Sequence, residues 1–296
     1  MRRTEVYVCQ GLVLRDYGDS LTRELTQMRG NALKLHRTWL GGVTLALALG
    51  MAQGIAAQTP GRFQSEMPAP RVDYWQKRAA EIDRQLSAKQ SLRGVRIAFV
   101  GDSITDFWHL DANPWFPGLY CGRAIWDESF GEATPDRRAI NLGVSGDRIE
   151  HVLHRLLPRS KGGQGWLDRR DLDPDTIFVM LGINNSFDSE SPATDSIYKG
   201  VVAVVARIRE RKPRARIVIQ SLLPTDDPVK NRDLVLPVNE QLRRYAQGPG
   251  LAYLDLYPAF VDENRLQRRA LFNDSLHPSR EGYRVWRDRL VAFLGS

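Results

Sequence analysis

Cysteine is scarce in this chain of 296 residues. It has two, Cys9 and Cys121, and Cys9 lies in a segment that we predict to be removed or never made. A lone Cys121 cannot form an intramolecular disulfide, so a disulfide-stabilised scaffold is not expected. Cys121 also lacks the matched Cys or His spacing of a zinc site. The chain must therefore rely on a hydrophobic core, for which its length is sufficient.

A strong charge imbalance is also missing. The formal net charge is +7, and the first 57 residues hold seven basic and four acidic residues, which leaves +4 for the remainder. The basic residues of that remainder are scattered, as between Arg207 and Arg214, in the manner of solvated helix faces. We therefore expect no nucleic-acid partner.

The N-terminal part of the sequence has the layout of an export signal. From Met28, basic residues precede an apolar stretch (39–52), and small residues follow. This layout predicts a secretory signal peptide over 28–57, with cleavage near Ala56 or Ala57. The apolar stretch is shorter than the roughly 20 residues of a membrane-spanning helix, so a stable membrane anchor is the less favoured alternative.

The signal peptide determines how the rest of the chain is divided. We interpret residues 1–27 as an upstream extension or as the result of a start codon assigned too far upstream, because Met28 begins the signal directly. Residues 58–71 are predicted to be a linker, and residues 72–296 a single folded domain. The predicted location of the protein is periplasmic or extracellular.

Beyond the linker, short β-branched runs alternate with helical patterns. The predicted strands are 95–100, 139–143, 176–181, 216–222 and 252–256, and the predicted helices are 72–91, 147–157, 194–211, 231–246 and 279–293. This alternation predicts an α/β fold in which helices cover both faces of an open, five-stranded parallel sheet, a three-layer α/β/α sandwich. Ligands bind such folds beyond the carboxyl ends of the strands.

Polar motifs follow the first three predicted strands. Ser103 follows the first, at a tight turn into a helix, although Gly-Asp-Ser is also an ordinary turn with a helix N-cap. Gly146 follows the second in a glycine-rich turn, where its N–H could donate to an oxyanion or the backbone could simply need glycine. After the third, we favour the amide of Asn184 over that of Asn185 as a further donor.

Two residues before the last predicted helix complete a possible acyl-transfer site. A serine hydroxyl becomes nucleophilic through a general base, and that base needs an orienting carboxylate; His277 and Asp274, three apart in one loop, can fill these roles. His151 and His154 have a spacing that metal sites also use, but no carboxylate cluster lies near them in the sequence. We interpret them as a solvated or half-buried helix face.

Taken in order, these four motifs resemble the GDSL/SGNH hydrolase family, named for its Ser, Gly, Asn and His, over about residues 94–294. The resemblance implies a flavodoxin-like fold and a carboxylic ester hydrolase with no metal or organic cofactor. It further implies Ser103 as nucleophile, with Gly146, Asn184 and the Ser103 N–H as oxyanion donors. His277 would be the base and Asp274 its orienting acid.

Within that family, the runs 139–156 and 181–185 look most like the catalytic subunits of platelet-activating factor acetylhydrolase and bacterial relatives that include carbohydrate acetylesterases. We therefore expect a serine ester hydrolase that cleaves short-chain acyl esters, with acetyl esters favoured, on a small molecule or a glycan. A longer-chain esterase or lysophospholipase, and a non-catalytic carbohydrate-binding protein of this fold, remain alternatives. The aromatic-rich insert 109–134 departs from compact members; its aromatics could line the site or pack in the core. The oligomeric state stays open.

Overall fold

The computed structural model describes residues 62–71, 76–88, 91–187 and 190–295. The predicted upstream extension (1–27) and signal peptide (28–57) lie outside the described residues, as does the start of the predicted linker. The predicted helix 72–91 is described from residue 76 onward.

Five strands form one parallel sheet in the order β2-β1-β3-β4-β5. They are β1 (Ile97–Gly101), β2 (Ala139–Asn141), β3 (Thr176–Met180), β4 (Arg216–Gln220) and β5 (Leu251–Leu254). Strands β1 and β3 are buried along their whole length, as their apolar and β-branched residues require between two helical layers. The predicted flavodoxin-like α/β fold is confirmed, and the strand order reverses between β1 and β3, where ligands bind in such sheets.

Helices follow most of the strands. They are α1 (Gln76–Ser87), α2 (Ser103–Asp106), α3 (Arg123–Phe130), α4 (Ile149–Leu156), α5 (Ala193–Arg211), α6 (Leu236–Tyr245) and α7 (Arg280–Leu294). Helices α4, α5 and α6 pack side by side, and α3 packs against α7. None of the helices in the described part of the chain has the length and apolar character needed to cross a bilayer.

Short helical turns complete the chain. Single 3-10 turns occupy Gln64–Glu66, Phe107–His109, Pro135–Arg137, Arg159–Lys161, Asn184–Phe187, Tyr257–Phe260 and Arg269–Leu271. The predicted helix 231–246 begins earlier, with a turn at Pro228–Lys230, and its first part is a π-helical turn, Asn231–Val235. Pro237 has no N–H to donate to the preceding turn, which accounts for a wider helix just before it.

An aromatic cluster joins the insert 109–134 to the core. The Phe99 ring of β1 contacts the rings of Trp126, Phe130 and Phe178 at centroid distances of 5.2 to 5.4 Å. Of these, Trp126 and Phe130 belong to α3, a helix that the sequence patterns did not predict. Phe130 is fully buried and Trp126 packs against the core, so this part of the insert packs in the core. Aromatic pairs of this kind add packing energy beyond their buried area.

Residues 62–71, here called the arm, pack along α4 and α5. The Ser65 side chain is fully buried, and its hydroxyl donates to the Ser196 carbonyl at 2.7 Å. The Ala69 N–H donates to the Glu150 carbonyl at 3.0 Å. A Cβ on Gly200 would lie 2.8 Å from the Ser65 Cβ, so the absence of a side chain there allows the close approach. These contacts fix the arm against α4 and α5.

Candidate active site

Ser103 begins α2 directly after β1. A Cβ at Gly101 would lie 2.0 Å from the Thr105 hydroxyl oxygen, so the turn from strand to helix needs glycine at that point. The Asp102 side chain caps α2 by accepting the Ile104 N–H at 3.1 Å. The strand, the cap and the close packing together fix Ser103, which is 4% exposed, at the carboxyl edge of the sheet.

The loop before α7 brings His277 to Ser103. The Nε2 atom of His277 lies 2.9 Å from Ser103 Oγ, and its Nδ1 lies 2.8 Å from Asp274 Oδ2. The other Asp274 oxygen accepts the backbone N–H groups of His277 at 2.6 Å and Leu276 at 2.7 Å. A carboxylate at Nδ1 favours the tautomer that carries its proton on Nδ1, which leaves the Nε2 lone pair free to accept the serine proton.

The pKa values of the two carboxyl groups nearest Ser103 and His277 are shifted in opposite directions. Burial raises the pKa of Asp274, but hydrogen bonds from the ring and backbone of His277 outweigh it and hold the pKa below its ordinary value. Burial also raises the pKa of Asp102, here to about 7, and the Ile104 N–H offsets only part of that rise. Asp274 is therefore the carboxylate that stays charged beside the imidazole at neutral pH.

Two aromatic rings border the imidazole of His277. Phe107, which is buried, stacks on it with centroids 4.9 Å apart, and Trp115 lies 5.4 Å away at a tilt of 52°. Trp115 is 37% exposed, and Asn113 Oδ1 fixes its position by accepting the backbone N–H of Trp115 at 2.9 Å. Trp115 belongs to the aromatic-rich insert 109–134, whose aromatics the sequence marked as candidates to line the site. The sequence gave no sign of Phe107, because its contact with His277 is made by a loop far along the chain.

Residues 143–148, here called the glycine turn, leave one backbone donor open. The N–H groups of Val144, Ser145 and Asp147 donate to Gly101 O, Asp106 Oδ2 and Val144 O. The Gly143 N–H donates to Asn141 and the Arg148 N–H to His151. No described residue accepts the Gly146 N–H. Gly146 has a φ of 72°, the left-handed region in which glycine is favoured.

The two asparagines after β3 have different partners. Asn185 is buried; its amide oxygen accepts the Ile149 N–H at 3.0 Å and its NH₂ donates to Glu150 at 2.9 Å, so it caps α4. Asn184 is partly exposed, and its NH₂ donates one hydrogen to the Asp147 carbonyl at 2.8 Å. The second hydrogen of that NH₂ stays available. Asn184 therefore remains the predicted donor, and it is tied to the glycine turn.

The predicted site residues thus form two linked groups. Ser103, His277 and Asp274 stand in one chain of hydrogen bonds. Gly146 and Asn184 are joined through Asp147. A Cβ at Gly143 would lie 2.5 Å from the Asp106 N, so the glycine turn packs directly on α2, the helix that begins with Ser103.

The histidines of α4 are engaged in local structure. His151 Nδ1 accepts the Arg148 N–H at 3.0 Å, and burial lowers the pKa of His151 to about 4. Both His151 and His154 are partly buried. Within the described ranges, no group of three or more His, Cys, Asp or Glu side chains is placed to hold a metal ion.

The sequence and the fold are similar to those of known proteins. The sequence pattern of the GDSL-like Lipase/Acylhydrolase family matches residues 99–285. The chain is 31% identical over 189 residues to platelet-activating factor acetylhydrolase IB subunit alpha1 of Homo sapiens, covering 63% of this chain and 70% of the relative. It is 30% identical over 192 residues to the alpha2 subunit of Rattus norvegicus, with 63% and 70% covered. Among solved structures, a GDSL-like lipase from Bacteroides thetaiotaomicron is similar in fold, with a TM-score of 0.52, 16% identity, and 75% and 97% of the two chains covered.

Proposed function

The chain belongs to the GDSL-like lipase/acylhydrolase family of hydrolases, and we propose that it cleaves short-chain acyl esters, acetyl esters above all, by a serine mechanism. The observation that carries the proposal is the contact of 2.9 Å between His277 Nε2 and Ser103 Oγ, with Asp274 at the opposite ring nitrogen. A nucleophile, a base and an orienting carboxylate in one line can perform acyl transfer without a cofactor.

The reaction proceeds through an acyl-enzyme. Ser103 Oγ forms a bond to the ester carbonyl carbon while His277 Nε2 takes the serine proton. The resulting oxyanion accepts hydrogen bonds from the N–H groups of Gly146 and Ser103 and from the Asn184 amide. When the tetrahedral intermediate collapses, the carbon–oxygen bond to the alcohol breaks and His277 protonates the departing oxygen. Water then repeats the sequence to release the acid, while Asp274 stabilises the imidazolium formed in each half.

Acetyl specificity is proposed from the relatives. The curated proteins to which the chain is 30 to 31% identical are named acetylhydrolases, and the similarity covers 63% of this chain. The alternative is a longer-chain esterase or lysophospholipase. The two differ in the acyl chain that they accept, which a substrate series measures directly.

For the leaving alcohol we propose a carbohydrate. His277 must reach the departing oxygen to protonate it, so the alcohol leaves on the side of the imidazole, where the partly exposed ring of Trp115 lies 5.4 Å away. The C–H face of a sugar ring packs well on an aromatic ring. The signal peptide predicted at 28–57 supports the same proposal, because it would deliver the enzyme to the periplasm or the extracellular space, where acetylated polysaccharides lie.

The first experiment measures hydrolysis of the 4-nitrophenyl esters of acetate, butyrate, octanoate and palmitate by the wild type and by Ser103→Ala. We expect the acetate to be cleaved fastest and the activity to vanish in the variant. Preference for octanoate or palmitate would replace the acetyl proposal with the longer-chain one. Equal activity of the variant would refute Ser103 as nucleophile, and glycan binding without hydrolysis would favour the non-catalytic alternative.

A second experiment tests the alcohol. Trp115→Ala should lower kcat/KM for a fully acetylated methyl pyranoside about tenfold, the loss of roughly 1.4 kcal/mol of stacking, and should leave ethyl acetate nearly unaffected. Tyr120→Ala is the matched control, because Tyr120 is an exposed aromatic of the same insert that packs under Arg280. Equal losses on both esters would argue against a sugar-binding face at Trp115.

A further inference from the structure

The glycine turn positions both donors that the proposed mechanism needs beyond Ser103 itself, one directly and one through a hydrogen bond. Gly146 contributes its free N–H, and the Asp147 carbonyl orients the Asn184 amide through their hydrogen bond of 2.8 Å. Whatever fixes this turn therefore sets the position of two donors at once. Two charged side chains from outside the family motifs bond to the Ser145 backbone within it, one from α2 and one from the arm.

Asp106 holds the turn from the side of the nucleophile. Its Oδ2 accepts the Ser145 N–H at 2.9 Å and also the Ser145 hydroxyl. Its Oδ1 accepts from Arg78 Nε at 2.7 Å and lies 3.0 Å from His109 Nδ1. Asp106 is 3% exposed and lies three residues after Ser103 in the same short helix, so it couples the turn to the nucleophile.

The charge of Asp106 is supported by its surroundings. Burial raises the pKa of this carboxyl group, but the His109 hydrogen bond and the Arg78 charge outweigh the rise and leave the pKa below its ordinary value. A buried carboxylate that accepts several charge-assisted hydrogen bonds has one preferred geometry. The Ser145 backbone is thereby held at a fixed height above α2.

Arg71 holds the turn from the opposite direction. Its Nη1 donates to the Ser145 carbonyl at 2.8 Å and to Asp147 Oδ1 at 3.1 Å. Asp147 is itself buried and paired with Arg155, whose Nε lies 2.6 Å from Asp147 Oδ2. The polar groups on either side of Gly146 are thus all engaged, and the peptide between them has little freedom to rotate.

We propose that Asp106 and Arg71 are positioning residues that clamp the glycine turn, so that the Gly146 N–H and the Asn184 amide face the oxyanion formed at Ser103. The inference rests on the proposed serine mechanism. The proposal also gives the arm a role in that mechanism, because Arg71 is the last residue of the arm. Neither side chain touches the substrate; each acts through the backbone of the turn.

The test compares Asp106→Asn, Arg71→Met, Arg71→Lys and Ser145→Ala with the wild type on 4-nitrophenyl acetate. Displacement of an oxyanion donor lowers kcat, so Asp106→Asn and Arg71→Met should lose roughly 10- to 100-fold in kcat with KM changed less than about threefold. Arg71→Lys keeps the charge and one donor and should recover most of the loss. Ser145→Ala removes a single hydrogen bond and should have a smaller effect, in a variant that disturbs the fold least.

Inhibition by phenylboronic acid distinguishes positioning from general damage. Ser103 Oγ forms a bond to boron while His277 takes the serine proton, and one oxygen of the resulting tetrahedral boronate anion occupies the site of the oxyanion. If the clamp acts on the transition state, the inhibition constant should rise across the variants by the same factor as kcat/KM falls. A loss of kcat without any change in this constant would overturn the inference, as would unchanged kcat in both Asp106→Asn and Arg71→Met.

Asp171→Asn serves as the control. Asp171 also accepts several hydrogen bonds, from Arg169 and from the Leu92 N–H, but it precedes β3 and so lies at the amino end of the sheet. We expect this variant to lose stability in urea with kcat and the boronate constant unchanged. Ser103→Ala is measured in parallel: if it stays active, the proposed function fails, whereas an inactive Ser103→Ala beside unaffected clamp variants refutes the clamp alone.

Discussion

Replacing Asp274 with asparagine is the sharpest test of the proposed base. The two Asp274 oxygens accept three N–H groups: Oδ1 takes those of Leu276 and His277, and Oδ2 takes the imidazole Nδ1. An asparagine offers one oxygen and one NH₂ in the same space. As long as the imidazole keeps its proton on Nδ1, a donor faces a donor whichever way the amide is turned, and the two orientations differ in which contacts are lost.

The structure decides between them. With the amide oxygen toward the backbone, both backbone bonds survive and the NH₂ faces Nδ1. With the amide reversed, two N–H groups lose their acceptor, at about 1 to 3 kcal/mol each, so the first orientation is preferred by several kcal/mol. An NH₂ facing Nδ1 favours the tautomer with its proton on Nε2, which cannot accept the proton of Ser103. In a serine protease, the same change of aspartate to asparagine lowers kcat about 10⁴-fold, and we expect a similar loss here, about 5 kcal/mol in the barrier.

The assay is steady-state hydrolysis of 4-nitrophenyl acetate, with urea unfolding of the same samples. Asp274→Asn should unfold close to the wild type, because the backbone bonds remain. Asp274→Ala should be about as inactive but less stable by about 2 to 6 kcal/mol, because the Leu276 and His277 N–H groups each lose their acceptor at about 1 to 3 kcal/mol. If Asp274→Asn kept more than a tenth of the wild-type kcat, the carboxylate would not be setting the tautomer, and the reasoning would fail.

Three further predictions concern neighbouring residues. Asn184→Ala should lower kcat about 10²- to 10³-fold with little change in stability, whereas Asn185→Ala should leave the Ile149 N–H unpaired and lower the free energy of unfolding by about 1 to 3 kcal/mol; kinetics and urea unfolding of both variants check the contrast. Asp102→Asn should gain stability relative to the wild type as the pH rises. The unfolded Asp102 loses its proton near the ordinary pKa of 3.8 and the folded one near 7. The free energy of unfolding of the wild type therefore falls by up to about 1.4 kcal/mol per pH unit between those values and falls no further above them. Unfolding at pH 4, 5.5, 7 and 8.5 measures this, and a difference that stayed flat with pH would contradict it. Phe107→Leu removes the ring stacked on the imidazole and should lower kcat about tenfold while the acyl-chain preference stays the same; an altered preference would mean that Phe107 lines the acyl site.

The sheet and the motif residues could be predicted from the sequence for the same physical reason. Strands such as Thr176–Met180 are buried on both faces, which leaves a continuous apolar run that ends where the polar motif begins. In a parallel sheet these ends lie at one edge, so residues as distant in sequence as Ser103 and His277 can be assigned to one site. The strand boundaries differ from the prediction by one or two residues.

Other elements had no local signature. Helix α3 lies in an insert in which aromatic residues, glycine and proline obscure any helical period, and it is stabilised by contacts with β1 and α7. The roles of Asp106 and Arg71 depend on Ser145, which lies 39 and 74 residues away in the sequence. A hydrogen bond over such a separation is created by the fold, and neither periodicity nor motif spacing records it.

The course of the arm also bears on how the protein should be produced. The family pattern begins at residue 99, and a recombinant form cut to that boundary would retain the five strands except for the first residues of β1, yet lack Arg71, Arg78 and the buried Ser65. An affinity tag or fusion partner joined near residue 58 would sit only a few residues from a segment packed on α4 and α5. Tags therefore belong at the other terminus, after α7, and low activity in an N-terminally shortened form would reflect the missing arm rather than a wrong substrate.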